Sequence, residues 1–131
     1  MNKIIKKGYK TEYTLNGLLH REDGPAVEYN TGDKYWYING ELHREDGPAI
    51  EYFGGAKCWY FRGKVHREEG PAMEYPDGEK RWLFNGQLHR IDGPAVECAN
   101  GSKEYWINHH RLDFITNDQM LIYYLKFNFL K

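Results

Sequence analysis

Apolar residues alternate with polar ones over short segments of this chain, and the segments themselves recur every 23 residues. Tyr13, Trp36, Trp59, Trp82 and Tyr105 share one position of the period, and Leu15, Ile38, Phe61, Phe84 and Ile107 stand two residues later. An alternation with period two predicts a strand. Directly after it come Asn16-Gly17, Asn39-Gly40, Arg62-Gly63 and Asn85-Gly86, the chemistry of a two-residue hairpin whose central positions both need positive φ. The return pass carries Leu19, Leu42, Val65 and Leu88, then Val27, Ile50, Met73 and Val96, then Tyr29, Tyr52, Tyr75 and Cys98. A second reversal falls at Gly32, Gly55, Gly78 and Gly101. Two strand passes per repeat predict an elongated, single-layer antiparallel β-meander, mainly β, of about nine or ten strands.

Between the apolar segments of the return pass lies a polar phrase, spelled Leu19 to Ala26, Leu42 to Ala49, Val65 to Ala72 and Leu88 to Ala95. Its Pro25, Pro48, Pro71 and Pro94 each remove a backbone donor, so a bend or bulge is expected there. Continuous alternation assigns the Trp, Leu/Ile/Phe, Leu/Val, Val/Ile/Met and Tyr columns to one apolar face. It assigns Ala26, Ala49, Ala72 and Ala95, with Glu28, Glu51, Glu74 and Glu97, to the opposite face, along with Tyr37, Tyr60, Leu83 and Trp106.

The pattern decays at its end, where His109 replaces the turn glycine and Leu112 the repeat histidine. Beyond it Met120, Leu121, Tyr124, Leu125 and Phe127 space as a helical stripe, with Thr116 or Asn117 as N-cap, which predicts a short C-terminal helix over 117–127. That helix is expected to cover the apolar face of the terminal strands. The expected organisation is one repeat domain over 1–131, made of an N-terminal cap (1–12), repeats (13–112) and a C-terminal helical cap (113–131).

Charge and cysteine usage remove several function classes. A formal net charge of −1, from 18 Lys and Arg against 19 Asp and Glu, supplies no field that would draw the chain onto nucleic acid or an anionic membrane. Lys3, Lys6, Lys7 and Lys10 form a basic arm, expected to be a mobile terminus. Cys58 and Cys98 occupy positions held by Tyr or Arg in other repeats, so free thiols are expected. No apolar run has the length of a membrane span and no signal-like core follows Met1–Lys7, which places the protein in the cytoplasm.

The residues quoted above carry a resemblance. Gly40-Glu41-Leu42-His43, Gly63-Lys64-Val65-His66 and Gly86-Gln87-Leu88-His89 resemble MORN repeats. The phrase from Trp36 to Ala49 is similar to a divergent MORN-like repeat, His-Arg-x-Asp-Gly-Pro-Ala, found in uncharacterised bacteriophage and large DNA virus proteins. It covers about residues 9 to 112. The resemblance implies a twisted sheet of successive hairpins, no catalytic machinery, a scaffolding or binding role, and a phage or viral source acting in the host cytoplasm. MORN repeats follow their His with Gly-x-Gly, whereas this chain has Arg44-Glu45-Asp46-Gly47-Pro48, a charged cluster where the family has bare backbone.

His20, His43, His66 and His89 are the residues most suited to chemistry, but equivalent residues in a stack lie about 9 to 10 Å apart across two strand spacings. Neither a zinc ion nor a catalytic centre spans that distance, so these histidines are expected to be structural. Arg21, Arg44, Arg67 and Arg90 stand beside Asp23, Asp46, Glu69 and Asp92, and their expected role is a ladder of alternating charge. Candidate binding residues are Tyr37, Tyr60 and Trp106 with flanking Arg44 and Arg67, and the non-repeated His109 and His110 beside Arg111. No phosphate loop or metal motif is present, and no cofactor is expected. The leading reading is a non-enzymatic module that binds a host protein, as an inhibitor or counter-defence factor. A sponge for a small nucleotide-type signalling molecule is the alternative, and a homo-oligomer stays open.

Overall fold

The computed structural model describes residues 1–112 together with Asp118 and Ile122. The described chain is an antiparallel meander of hairpins in an open sheet. Twelve strands join in one sheet, which runs from the edge strand Asn2–Lys6 through Lys10–Leu15 to the terminal pair Lys103–Ile107 and His110–Leu112. The strands between them come in pairs set by the repeat: Val27–Tyr29 with Lys34–Tyr35, Ile50–Glu51 with Lys57–Cys58, Met73–Glu74 with Lys80–Arg81.

Each long pass expected from the alternation is split in two. The chain kinks at Trp36, Trp59 and Trp82, and beyond the kink lie separate two-stranded hairpins, Tyr37–Ile38 with Glu41–Leu42, Tyr60–Phe61 with Lys64–Val65, and Leu83–Phe84 with Gln87–Leu88. This is why the strands are shorter and more numerous than nine or ten. Backbone bonds hold the kink: Trp36 N–H donates to Ala49 O at 2.7 Å and His43 N–H to Trp36 O at 3.1 Å, and the pattern repeats at Trp59 and Trp82. Successive hairpins are also tied laterally, Gly63 N–H donating to Leu42 O and Gly86 N–H to Val65 O, both at 2.8 Å.

The hairpin turns are those the sequence predicts, with Asn39 and Gly40 at φ 50° and 82°. His109 takes the left-handed conformation in the last turn at φ 68°, where the repeats have glycine. From its histidine to its alanine the polar phrase forms no strand, in keeping with its proline.

The assignment of faces needs correction. Tyr35 pairs with Ile50, and Tyr37 with Leu42, so the Tyr37 and Tyr60 columns share a face with the apolar residues of the return pass. Lys34 pairs with Glu51, and Trp36 and Ile38 lie on that side, so the Trp column faces the same way as the glutamates rather than away from them. The reason lies in the turn: a two-residue loop sets Ile38 opposite Glu41, which fixes Tyr37 opposite Leu42. Ala26, Ala49, Ala72 and Ala95 expose no surface at all, and Val27, Ile50, Cys58 and Val96 are also buried. A further small core of Tyr105 and Ile107, with Leu112 packed on it, closes the last hairpin.

The basic arm is a strand for most of its length, because Asn2–Lys6 pairs with Lys10–Leu15, and Lys10 is ion-paired with Glu12 at 3.0 Å. Asp118 and Ile122 are helical. The rest of the helix expected over 117–127, and its packing on the sheet, lies outside the described residues.

Candidate interaction surface

The repeated polar phrase builds a clasp. The Arg44 guanidinium carbon lies over the Trp36 ring, 3.9 Å from its centre, and its Nε donates to Asp46 at 3.0 Å. Its Nη1 donates to Pro48 O at 3.0 Å and to Glu51 at 2.8 Å. Arg21 on Tyr13, Arg67 on Trp59 and Arg90 on Trp82 repeat the stack at the same 3.9 Å. Arg67 keeps the proline carbonyl, Pro71 O at 3.1 Å, while its carboxylate contact to Glu74 stretches to 3.9 Å. Planar, delocalised arginine suits both a ring face and a fork of acceptors. A side chain on Gly47 would begin 2.9 Å from the Arg44 guanidinium carbon, so the clasp requires glycine there. The proline that interrupts the strand therefore supplies the carbonyl that anchors the arginine.

The histidines are latches between repeats. His20, His43, His66 and His89 each accept through Nδ1 the backbone N–H of the next hairpin turn, from Asn39, Arg62, Asn85 and Asn108, at 2.9–3.0 Å. That bond fixes the proton on Nε2. In the first three repeats Nε2 faces Glu22, Glu45 or Glu68 at 3.5–3.7 Å. Burial lowers the His89 pKa, in keeping with a ring that must stay neutral to accept. Phe61 and Phe84 lie against the histidine rings of the preceding repeat, 4.7 Å from His43 and 4.4 Å from His66. Each histidine of this column is thus bonded to the backbone of the next repeat.

The opposite face is built of tyrosine. Tyr29 meets Tyr35 edge-on at 5.6 Å, Tyr35 meets Tyr52 at 6.1 Å, and Tyr9 stacks on Tyr29 at 6.5 Å. Burial, then a hydrogen bond with Tyr52, pushes the Tyr35 phenol up to about 12. Burial also raises Tyr37, Tyr60 and Tyr75, with Tyr37 near Tyr35 and Tyr29, and Tyr60 near Cys58 and Tyr37. Tyr35, Tyr37, Tyr60 and Tyr75 therefore hold their protons at neutral pH. Three rows cross the strands: Tyr29, Tyr52 and Tyr75; a buried middle row that includes Val27, Ile50 and Cys58; and Tyr37 with Tyr60 beyond the kink. Cys58 and Cys98 are free thiols, and burial raises the pKa of Cys58. At the near end Lys10 sits over the Tyr9 and Tyr29 rings and holds the Glu12 carboxyl below its usual range.

No protein-family model, curated protein or solved structure matches this chain.

The candidate residues are thus separated rather than gathered. Tyr37 and Tyr60 are half-buried on the tyrosine face, not isolated outward aromatics, while Arg44 and Arg67 are clasped on the other side of the sheet. Trp106 donates through its indole N–H to Glu104 at 3.0 Å. His109 and His110 are exposed in the last turn, where His109 Nδ1 accepts from Leu88 N–H at 3.3 Å and His110 Nδ1 lies 3.1 Å from Asn108 O. Between successive clasps open grooves appear, one of about 840 Å³ lined by Arg21, Asp23, Trp36, Ile38, His43 and Arg44. Tyr29, Tyr35, Tyr52 and Tyr75 are the binding candidates that reading the Trp column as the apolar face conceals. The two-residue turn is the signal that reveals them.

Proposed function

We propose that the protein is a non-enzymatic interaction module whose tyrosine face docks a host protein. The observation that carries this reading is a single-layer face on which half-buried tyrosines surround buried aliphatic residues, with its strand residues from Val27 to Met73 all uncharged. Tyrosine offers large apolar area, a polar tip and few rotamers, the chemistry of binding hot spots. The opposite face is occupied with its own architecture, since each arginine and histidine that tempts a chemical role is bonded to its own chain. The resemblance to MORN-like repeats of phage and large DNA viruses supports a viral inhibitor or counter-defence factor that works in the host cytoplasm.

The alternative, a sponge for a nucleotide-type molecule, would use the grooves between clasps. Their rims carry Glu22, Asp23, Glu45 and Asp46, which weigh against an anion. The test is capture from an extract of host cells by the immobilised protein. Tyr37→Ala and Tyr60→Ala should each weaken retention of the partner at least tenfold, while a Glu45→Lys, Glu68→Lys variant retains it. Retention by the tyrosine variants with loss in the lysine variant would transfer the function to the clasp face.

A further inference from the structure

The tyrosine face has a pitch, and the pitch selects a ligand. Repeats are two strands apart in the large sheet, so equivalent tyrosines such as Tyr52 and Tyr75, at the ends of their strands, recur about every 9.6 Å across it, and the hairpins that carry Tyr37 and Tyr60 follow the same repeat. A polyproline II helix repeats every three residues, or about 9.3 Å. We propose that the tyrosine face binds a proline-rich segment in the polyproline II conformation, laid across the strands with one ligand turn per repeat. This rests on the reading of that face as the docking surface and names what it takes.

Three features besides the pitch support it. Over the central repeats the two periods drift apart by less than about 1 Å, so one straight ligand stays in register with Tyr37 and Tyr60 on one side and Tyr52 and Tyr75 on the other. Between those rows Ile50 and Cys58 are already covered by their neighbours, so the tyrosine rings themselves are the apolar surface offered to pyrrolidine rings. Polyproline II has no internal hydrogen bonds, so its carbonyls need donors, and the tyrosine hydroxyls of these rows supply them. Charge agrees over the central stretch: from Val27 to Met73 the strand residues of this face are uncharged, while the charges at its ends are already paired, Lys10 with Glu12 and Arg81 with Glu79, and Asp33 at the rim is bonded to Phe53 N–H at 2.7 Å. Between those ends a basic or acidic peptide finds no counterion. An uncharged proline-rich one loses nothing by lying down, because its conformation is already set.

The test is fluorescence anisotropy of a labelled peptide of repeated Ala-Pro-Pro, against a Gly-Ser control of equal length, with sedimentation of the same samples. Saturable binding of the proline peptide alone is expected, weakened about tenfold by Tyr60→Ala and less by Tyr60→Phe, which keeps the ring and loses the donor. Absence of binding by the unaltered protein, or binding indifferent to Tyr60→Ala, overturns the proposal. A protein dimer that Tyr60→Ala dissolves would assign the face to a second copy instead. That outcome refutes the proline ligand yet leaves the tyrosine face as the docking surface, whereas loss of the face itself is read from the capture experiment.

Discussion

The Arg44 guanidinium is held by a ring, a carbonyl and two carboxylates, and those contacts depend on its flat fork rather than its charge. Arg44→Lys keeps the charge and removes the plane, so it should destabilise the protein by about 2 kcal/mol, the scale of a stack plus a charge-assisted hydrogen bond. Reversible urea denaturation reads this, and a loss under about 0.5 kcal/mol would mean that the clasp is a surface ion pair of the ordinary weak kind. The presence of Arg beside Asp and Glu was legible in the sequence as a charge ladder. Its packing on Trp36, eight residues earlier, was not, because that contact exists only once the chain kinks at Trp36 and turns back after Pro48. The fully buried Ala49 was the overlooked sign, since a small residue repeated in phase marks a place where something larger lies close above it.

At the scale of the hairpin, the turns were readable and the strands between them only in part. Asn-Gly and its equivalents fixed the reversals, and the observed positive φ values at Asn16, Asn39, Arg62 and Asn85 follow. Arg62 is the exception in kind, holding φ 48° with a side chain that tolerates it less well than asparagine. Arg62→Asn should therefore stabilise the protein by about 0.5 kcal/mol, the backbone N–H bond to His43 being retained. A lowered urea midpoint would show instead that the Arg62 contact with Phe61, 5.4 Å from the ring, outweighs the turn. Matching the Trp column with the apolar residues of the return pass put the wrong residues together, because it ignored the pairing that the turn imposes, Tyr37 opposite Leu42 and Ile38 opposite Glu41. The latch from His43 to the next turn joins residues 19 apart, beyond what local pattern can show.

For the whole molecule, a single layer has two faces, and the sequence distributes different work between them. One carries arginine clasps and histidine latches bonded to their own chain. The other gathers tyrosines whose shared pitch comes from the repeat itself. Meander and repeat were legible because every unit restates them; the binding face was not, because its tyrosines lie in different columns that only the register aligns. The central claim, that docking belongs to the tyrosine face and scaffolding to the clasp face, is tested most directly by site-specific photo-crosslinking in host cells, with p-benzoylphenylalanine placed singly at positions 37, 60, 45 and 68. Positions 37 and 60 should each give a discrete heavier adduct and positions 45 and 68 none. Adducts from 45 and 68 alone, with 37 and 60 silent, would contradict it.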